Sequence, residues 1–204
     1  MNWGTLFECG RSANVDRSMV RDALERRRSR DDDRRDRFDS GAASSELSTP
    51  DPTPSRVVAD ADVLAADLLC GGEAREALDV IRGHSWLTLI ASEPLLEDAE
   101  WVIAELAGDE LADAWGELIR DRSEQVRHPA GDHPALASAY RGGAMHVLSF
   151  DPRLTSAAAG AALRDRVPVS VREPRAFTSV FDAERLYQTV IGETYPGPDR
   201  DPRS

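Results

Sequence analysis

From Arg56 onward, short apolar runs alternate with longer stretches in which apolar residues recur at helical spacing. Brief apolar runs read as buried strands, and three-to-four-residue spacing reads as amphipathic helix. The pattern predicts strands over 56–60, 86–91, 145–149 and 167–171. It predicts helices over 62–70, 73–82, 92–106, 109–127, 133–142 and 152–164, and further helices within 173–191. "CGG" at 70–72 is a helix stop. "SEPLLEDAEWVIAEL" opens with a serine cap and a proline in its first turn. Strands and helices alternate, and the strands are short and apolar. The expected fold is α/β, a three-layer α/β/α arrangement with a central parallel sheet.

Residues 1–55 break this pattern. "RDALERRRSRDDDRRDRFD" mixes arginine and aspartate densely, and "SGAASSELSTPDPTPS" has linker composition. With 10 arginines against 11 acids the segment is nearly neutral, and it shows no wide apolar stripe. It is expected to be a disordered, solvated tail and linker before a domain at 56–192, with a second tail at 193–204. An arginine-rich arm touching RNA or a partner is the alternative, and the interspersed aspartates disfavour it.

The chain has 204 residues, a formal net charge of −12 and no lysine, so all 25 basic residues are arginine. Such a surface repels phosphates and resists nonspecific capture of nucleic acid. It suits high salt, where self-repulsion is screened. A halophilic source is expected, although a GC-rich genome also explains the missing lysine. The two cysteines, Cys9 and Cys70, have no zinc-like spacing and suggest no disulfide framework. "MNWGTLFECG" is not a signal peptide, and no apolar run approaches a membrane span. A soluble cytoplasmic protein with no membrane association is expected.

Ligands of open parallel sheets bind beyond the carboxyl ends of the strands. Acids collect at those ends here. "RVVADADVL" places Asp60 and Asp62 after a strand, and "HVLSF" is followed by Asp151 and Pro152. Asp132 opens the helix "DHPALASAY", and the helix after "WLTLIA" carries Glu97, Asp98 and Glu100. Each acid at a helix start has a simple reading as an N-cap, worth about 1 kcal/mol. Together they would repel one another, and a divalent cation with its preference for hard oxygen ligands would relieve that. On the helix 92–106, Leu95, Leu96, Ala99, Val102, Ile103 and Leu106 define the buried face. Glu97 then points to solvent, while Asp98 and Glu100 flank the face and either could reach the sheet edge.

Four stretches resemble the PIN-domain family. They are "RVVADADVL", "SEPLLEDAEWVI", "DHPALASAYRGGAMHVLSFDPRL" and "VPVSVREPRAF", and the likeness spans about 56–180. The third is the most specific, through its acid-to-alanine spacing, its "GGA" turn and its terminal "SFD". The resemblance implies a PIN-like fold with Asp60, Asp98, Asp132 and Asp151 as metal-binding, catalytic acids and Ser149 beside them. Two positions depart from the family. Ala61-Asp62 stands where Thr-Asn is usual, and Asp98 stands where Glu is usual. Asp62 could add a ligand or replace an asparagine hydrogen bond.

The implied activity is Mg²⁺- or Mn²⁺-dependent hydrolysis of phosphodiester bonds in single-stranded RNA, with paired ions roughly 4 Å apart. Arg141 and Arg153 are weaker candidates for phosphate contact, a solvated helix face being the other reading. Among the histidines only His133, beside Asp132, is suggestive as a proton carrier. Trp101 and Trp115 fit helix packing better than base stacking. An antitoxin-like protein partner and a homodimer are compatible with the resemblance. The alternative reading is a PIN-like interaction scaffold without catalysis, its acids serving as caps. A receiver-like phosphate-handling domain is a weaker third reading, because the chain has no lysine to contact a phosphoryl group.

Overall fold

The computed structural model describes residues 2–35, 49–128, 132–156 and 169–204. Five strands form one all-parallel sheet: β1 (Thr53–Ala59), β2 (Thr88–Ser92), β3 (Glu124–Val126), β4 (Ala144–Leu148) and β5 (Ser170–Arg172), in the order β3-β2-β1-β4-β5. On the central strand the consecutive residues Val57, Val58 and Ala59 are all buried. Both faces of the sheet are therefore covered, as a parallel sheet requires. Crossover helices α3 (Ala61–Leu69) and α4 (Gly72–Arg82) lead from β1 to β2. α5 (Glu93–Ala107) and α6 (Asp109–Arg122) lead to β3, α7 (Pro134–Gly142) to β4, and α8 (Pro152–Thr155) follows β4. α9 (Pro174–Val180) and α10 (Ala183–Val190) come after β5. This is an α/β protein, and the arrangement is compatible with three layers.

Most predicted elements are present with shifted ends. β1 starts at Thr53 rather than Arg56, because its amide bonds to Gly143 O at 2.9 Å. Gly143 ends α7 in a left-handed conformation (φ 61°), and a Cβ there would stand 2.9 Å from the Asp51 carbonyl. The "GGA" turn therefore needs glycine at this position. The helix expected over 109–127 ends at Arg122, and the edge strand β3 follows. Its polar sequence, Glu-Gln-Val, carries no strand signal. Of the helix expected over 152–164, α8 is present, and residues 157–164 lie outside the described residues. The strand expected at 167–171 is found as β5, and residues 167 and 168 also lie outside the described residues.

The N-terminal tail expected over 1–55 is corrected for its described helical part. α1 (Trp3–Arg11) buries Trp3, Leu6, Phe7 and Gly10, a stripe at helical spacing, and packs on α3. A Cβ on Gly10 would collide with the Leu68 carbonyl, so glycine allows the close approach. The Arg75 guanidinium lies 3.1 Å from the centre of the Phe7 ring, and Arg82 and Arg203 approach the same ring at 5.1 and 5.2 Å. Asp67, fully buried, anchors Arg75 at 2.6 Å and Arg82 at 2.8 Å. α2 (Arg17–Arg35) packs against α3 and α5 and buries Val20, Ala23 and Leu24. The apolar content missed in the composition is concentrated on these two narrow stripes. The remainder of the expected linker, residues 36–48, lies outside the described residues.

The expected C-terminal tail is likewise held. Gly4 N donates to Arg203 O at 3.1 Å, Ser85 N donates to the Asp199 carboxylate at 2.7 Å, and Tyr195 O–H bonds His84 Nε2 at 2.6 Å.

Residues 56–204 hold 26 acids against 15 arginines. Added KCl is therefore expected to raise the melting temperature steadily from low to molar concentration, as self-repulsion is screened. Thermal scans across that range check it, and a flat or falling midpoint contradicts it.

Candidate functional site

Because the strands are parallel, their carboxyl ends share one edge. β1 and β4 are paired with Ala59 opposite Leu148, so the next residues, Asp60 and Ser149, meet. Asp60 is fully buried and caps α3, its Oδ1 accepting from Ala61 N at 2.8 Å. Its Oδ2 accepts from Ser149 Oγ at 3.0 Å, and Ser149 Oγ in turn accepts from Asp151 N at 3.0 Å. Asp151 caps α8, accepting from Arg153 N at 2.8 Å. Asp62 Oδ2 accepts from Phe150 N at 3.0 Å, tying the start of α3 to the end of β4. On α5 the buried face continues through Asp98, which is buried, while Glu97 is exposed as expected. Glu100 turns away to Arg120, 2.8 Å distant.

Into this group comes α2. The Arg28 guanidinium presents a different nitrogen to each of three carboxylates. Nη2 is 2.8 Å from Asp60 Oδ1, Nε is 3.6 Å from Asp98 Oδ2, and Nη1 is 4.0 Å from Asp151 Oδ2. Arg27 Nε lies 3.3 Å from Asp98 Oδ1, and Arg153 Nη2 lies 2.7 Å from Asp151 Oδ2. Each of the three carboxylates thus faces an arginine. Burial works against the Arg28 charge, but Asp60 and Asp98 outweigh it and raise the Arg28 pKa above its ordinary value. Burial also pushes Asp151 upward, and its hydrogen bonds from Arg153 outweigh this, so its carboxyl stays below the usual range.

Asp62 behaves differently. Burial, and then the neighbouring Asp60 charge, hold its carboxyl well above the ordinary value. Its Oδ1 is buried with no hydrogen-bond partner, and the side chain is 4% exposed. Asp62 was expected as a possible extra ligand, and the structure buries it beside the other acids. A carboxyl raised on folding contributes stability below its unfolded pKa, and that contribution is lost as pH rises through the folded pKa. Asp62→Asn is therefore expected to be more stable than wild type near pH 8, with the difference shrinking toward pH 4. Urea unfolding at both pH values checks this. An equal difference at both would show that Asp62 does not titrate in this way.

Asp132, expected as a fourth metal ligand, is exposed, and among the described residues no hydrogen bond or ion pair joins it to the cluster. The next residue is within reach of the acids' charges. His133 precedes α7 as its cap residue, and its ring lies within the fields of Asp60 and Asp151. Both ring nitrogens are buried without hydrogen-bond partners, and burial lowers its pKa, so the ring is neutral at pH 7. Arg141 is not brought in and lies over the Tyr140 ring at 5.9 Å. Arg153 is brought in through Asp151, with its side chain 71% exposed.

Arg27 and Arg28 are the site residues the sequence reading missed. Their signal was positional: 20, 23, 24, 27 and 28 form one helical face, so both arginines extend the stripe of Val20, Ala23 and Leu24. A cavity of about 20 Å³, room for roughly one water, lies among Leu24, Arg28, Asp62, Asp151 and Arg153. Asp62 also lines a wider cleft of about 370 Å³ with Arg17, Arg21, Phe150 and Glu173.

The donor chemistry, four carboxylates with one oxygen unpartnered, suits a hard divalent cation. The spacing in this state does not, because among the described residues no three such groups stand close enough to hold an ion. The Arg28 guanidinium lies among Asp60, Asp98 and Asp151 instead.

Fold and site together define an α/β protein with an arginine-bridged carboxylate cluster at the carboxyl edge of a parallel sheet. The chain belongs to DUF7384, a family of unknown function, whose profile matches residues 51–203. α1 and α2 precede the matched region. No curated protein and no solved structure matches the chain.

Proposed function

We propose that the protein is a metal-dependent ribonuclease of PIN type, with a PIN-like three-layer fold, that hydrolyses phosphodiester bonds in single-stranded RNA. The observation that carries this reading is the convergence of Asp60, Asp62, Asp98 and Asp151, from three separate regions of the chain, at one sheet edge. Helix capping accounts for Asp60 and Asp151. It does not account for Asp98, which lies in the middle of α5, or for the unpartnered Oδ1 of Asp62. These four residues would hold Mg²⁺ or Mn²⁺, which supplies activated water and neutralises phosphate charge. Ser149 fixes the orientation of Asp60, and the Asp151 amide fixes Ser149. His133 offers a neutral imidazole beside the acids, able to accept a proton. Arg153 reaches solvent from Asp151 and is placed to meet a phosphate oxygen.

The second reading, a scaffold without catalysis, draws on the arginines that already face Asp60, Asp98 and Asp151. End-labelled single-stranded RNA incubated with Mn²⁺, with Mg²⁺ and with EDTA separates the two. Wild type or Arg28→Met should cleave only with metal. Asp98→Asn should lower the rate by about 100-fold or more, and the exposed Glu97→Gln should leave it unchanged. No cleavage by either protein, or cleavage indifferent to Asp98→Asn, overturns the nuclease reading.

A further inference from the structure

We infer that Arg28 is an internal cation that occupies the acid site, and that α2 is a plug which a divalent metal ion displaces. This rests on the proposed cation-binding role of the acids and adds a means of regulating them.

The way α2 is held supports a displaceable contact. Its buried apolar residues, Val20, Ala23 and Leu24, lie in its first half. Beyond Leu24 the sequence is Glu-Arg-Arg-Arg-Ser-Arg, which has no apolar side chain to bury. Arg26 pairs with Glu105 at 3.1 Å, Arg27 with Asp98 at 3.3 Å and Arg28 with Asp60 at 2.8 Å, while Arg30 lies 5.6 Å from the Trp101 ring centre. This half of the helix is thus held through charged side chains, two of which lie on the site acids. A divalent cation bound by Asp60, Asp98 and Asp151 would compete with Arg27 for Asp98 and with Arg28 for all three, and would repel both guanidinium groups. The apolar half, with Arg17 paired to Glu73 at 2.5 Å, would stay docked.

Three features make Arg28 a stand-in for a cation rather than an ordinary surface pair. It is 19% exposed, it spans three carboxylates from three elements, and Asp62 beside it keeps an oxygen with no hydrogen-bond partner. A planar guanidinium leaves that oxygen without a donor, whereas a divalent cation, once the carboxylates close on it, accepts six or more oxygen ligands.

The test is Mn²⁺ binding by the full chain, followed by electron paramagnetic resonance of free Mn²⁺ at fixed ionic strength. Arg28→Met keeps the packing of the stem and removes the charge. It should bind Mn²⁺ at least about tenfold more tightly than wild type. Arg28→Lys, a point charge that cannot span three carboxylates, should fall between the two. Glu8→Gln, an exposed change on α1, should match wild type. Circular dichroism confirms folding, and if Arg28→Met is unfolded the Lys variant carries the comparison. Affinity unchanged or weakened in the Arg28 variants overturns the inference. The readout does not involve RNA. Tighter Mn²⁺ binding without cleavage keeps the plug and removes the nuclease, whereas cleavage with unchanged binding does the reverse.

Discussion

Phe7→Ala is expected to lower the free energy of unfolding by about 3–5 kcal/mol, the range for truncating a large buried aromatic. Phe7 is 1% exposed, stacks on Trp3 at 5.7 Å and lies under the Arg75 guanidinium. Removing the ring leaves a cavity and strips Arg75 and Arg203 of an aromatic contact, while Arg82 keeps the Trp3 ring at 4.8 Å. Glu8→Ala, one residue along the same helix and exposed, should be neutral. Urea denaturation of both variants measures this. If the N-terminus were a solvated tail, both would be silent. By the same argument, deleting α1 and α2 exposes the apolar surface of α3 and α5 and should abolish cooperative unfolding, not leave a stable core.

Asp60→Asn is expected to abolish metal-dependent RNA cleavage, by about 100-fold or more, and high-affinity Mn²⁺ binding with it. Asparagine caps a helix about as well as aspartate, so a residue that only capped α3 would tolerate the change. Four carboxylates alone would repel, and losing one charge would then stabilise the apo-protein. With Arg28 among them the sign reverses. The substitution removes a charge-assisted bond to a guanidinium that stays largely buried, and stability should fall by about 1–3 kcal/mol. Cleavage assays together with urea unfolding separate these cases. Loss of cleavage with lost stability fits the arginine-bridged site, and no change in either fits a cap alone.

The acids were legible in part from two regularities. Parallel strands bring their carboxyl ends to one edge, which placed Asp60 and Asp151 together. The period of α5 turned Glu97 to solvent but left Asp98 and Glu100 both open; the family resemblance chose Asp98, and Glu100 pairs with Arg120 instead. Asp132 was misplaced because a one-residue shift at a helix start selects a different side chain, and His133 takes the inward position. Arg28 was not legible for a different reason. A charge-dense helix has too little apolar surface to be ordered alone. Its partners, Asp60 and Asp98, lie far along the chain, and only their convergence gives the arginines a place to dock. β3 was missed for a related reason, since its polar residues form a strand only because β2 offers an edge.

The most direct test of the central claim is a Mn²⁺ titration of Arg28→Met beside the double variant Arg28→Met/Asp60→Asn. Without the internal cation, the single variant should bind one Mn²⁺ tightly, and the double variant should lose that binding while remaining folded. Equal binding by both, or binding by neither, would contradict a cation site built from Asp60, Asp62, Asp98 and Asp151.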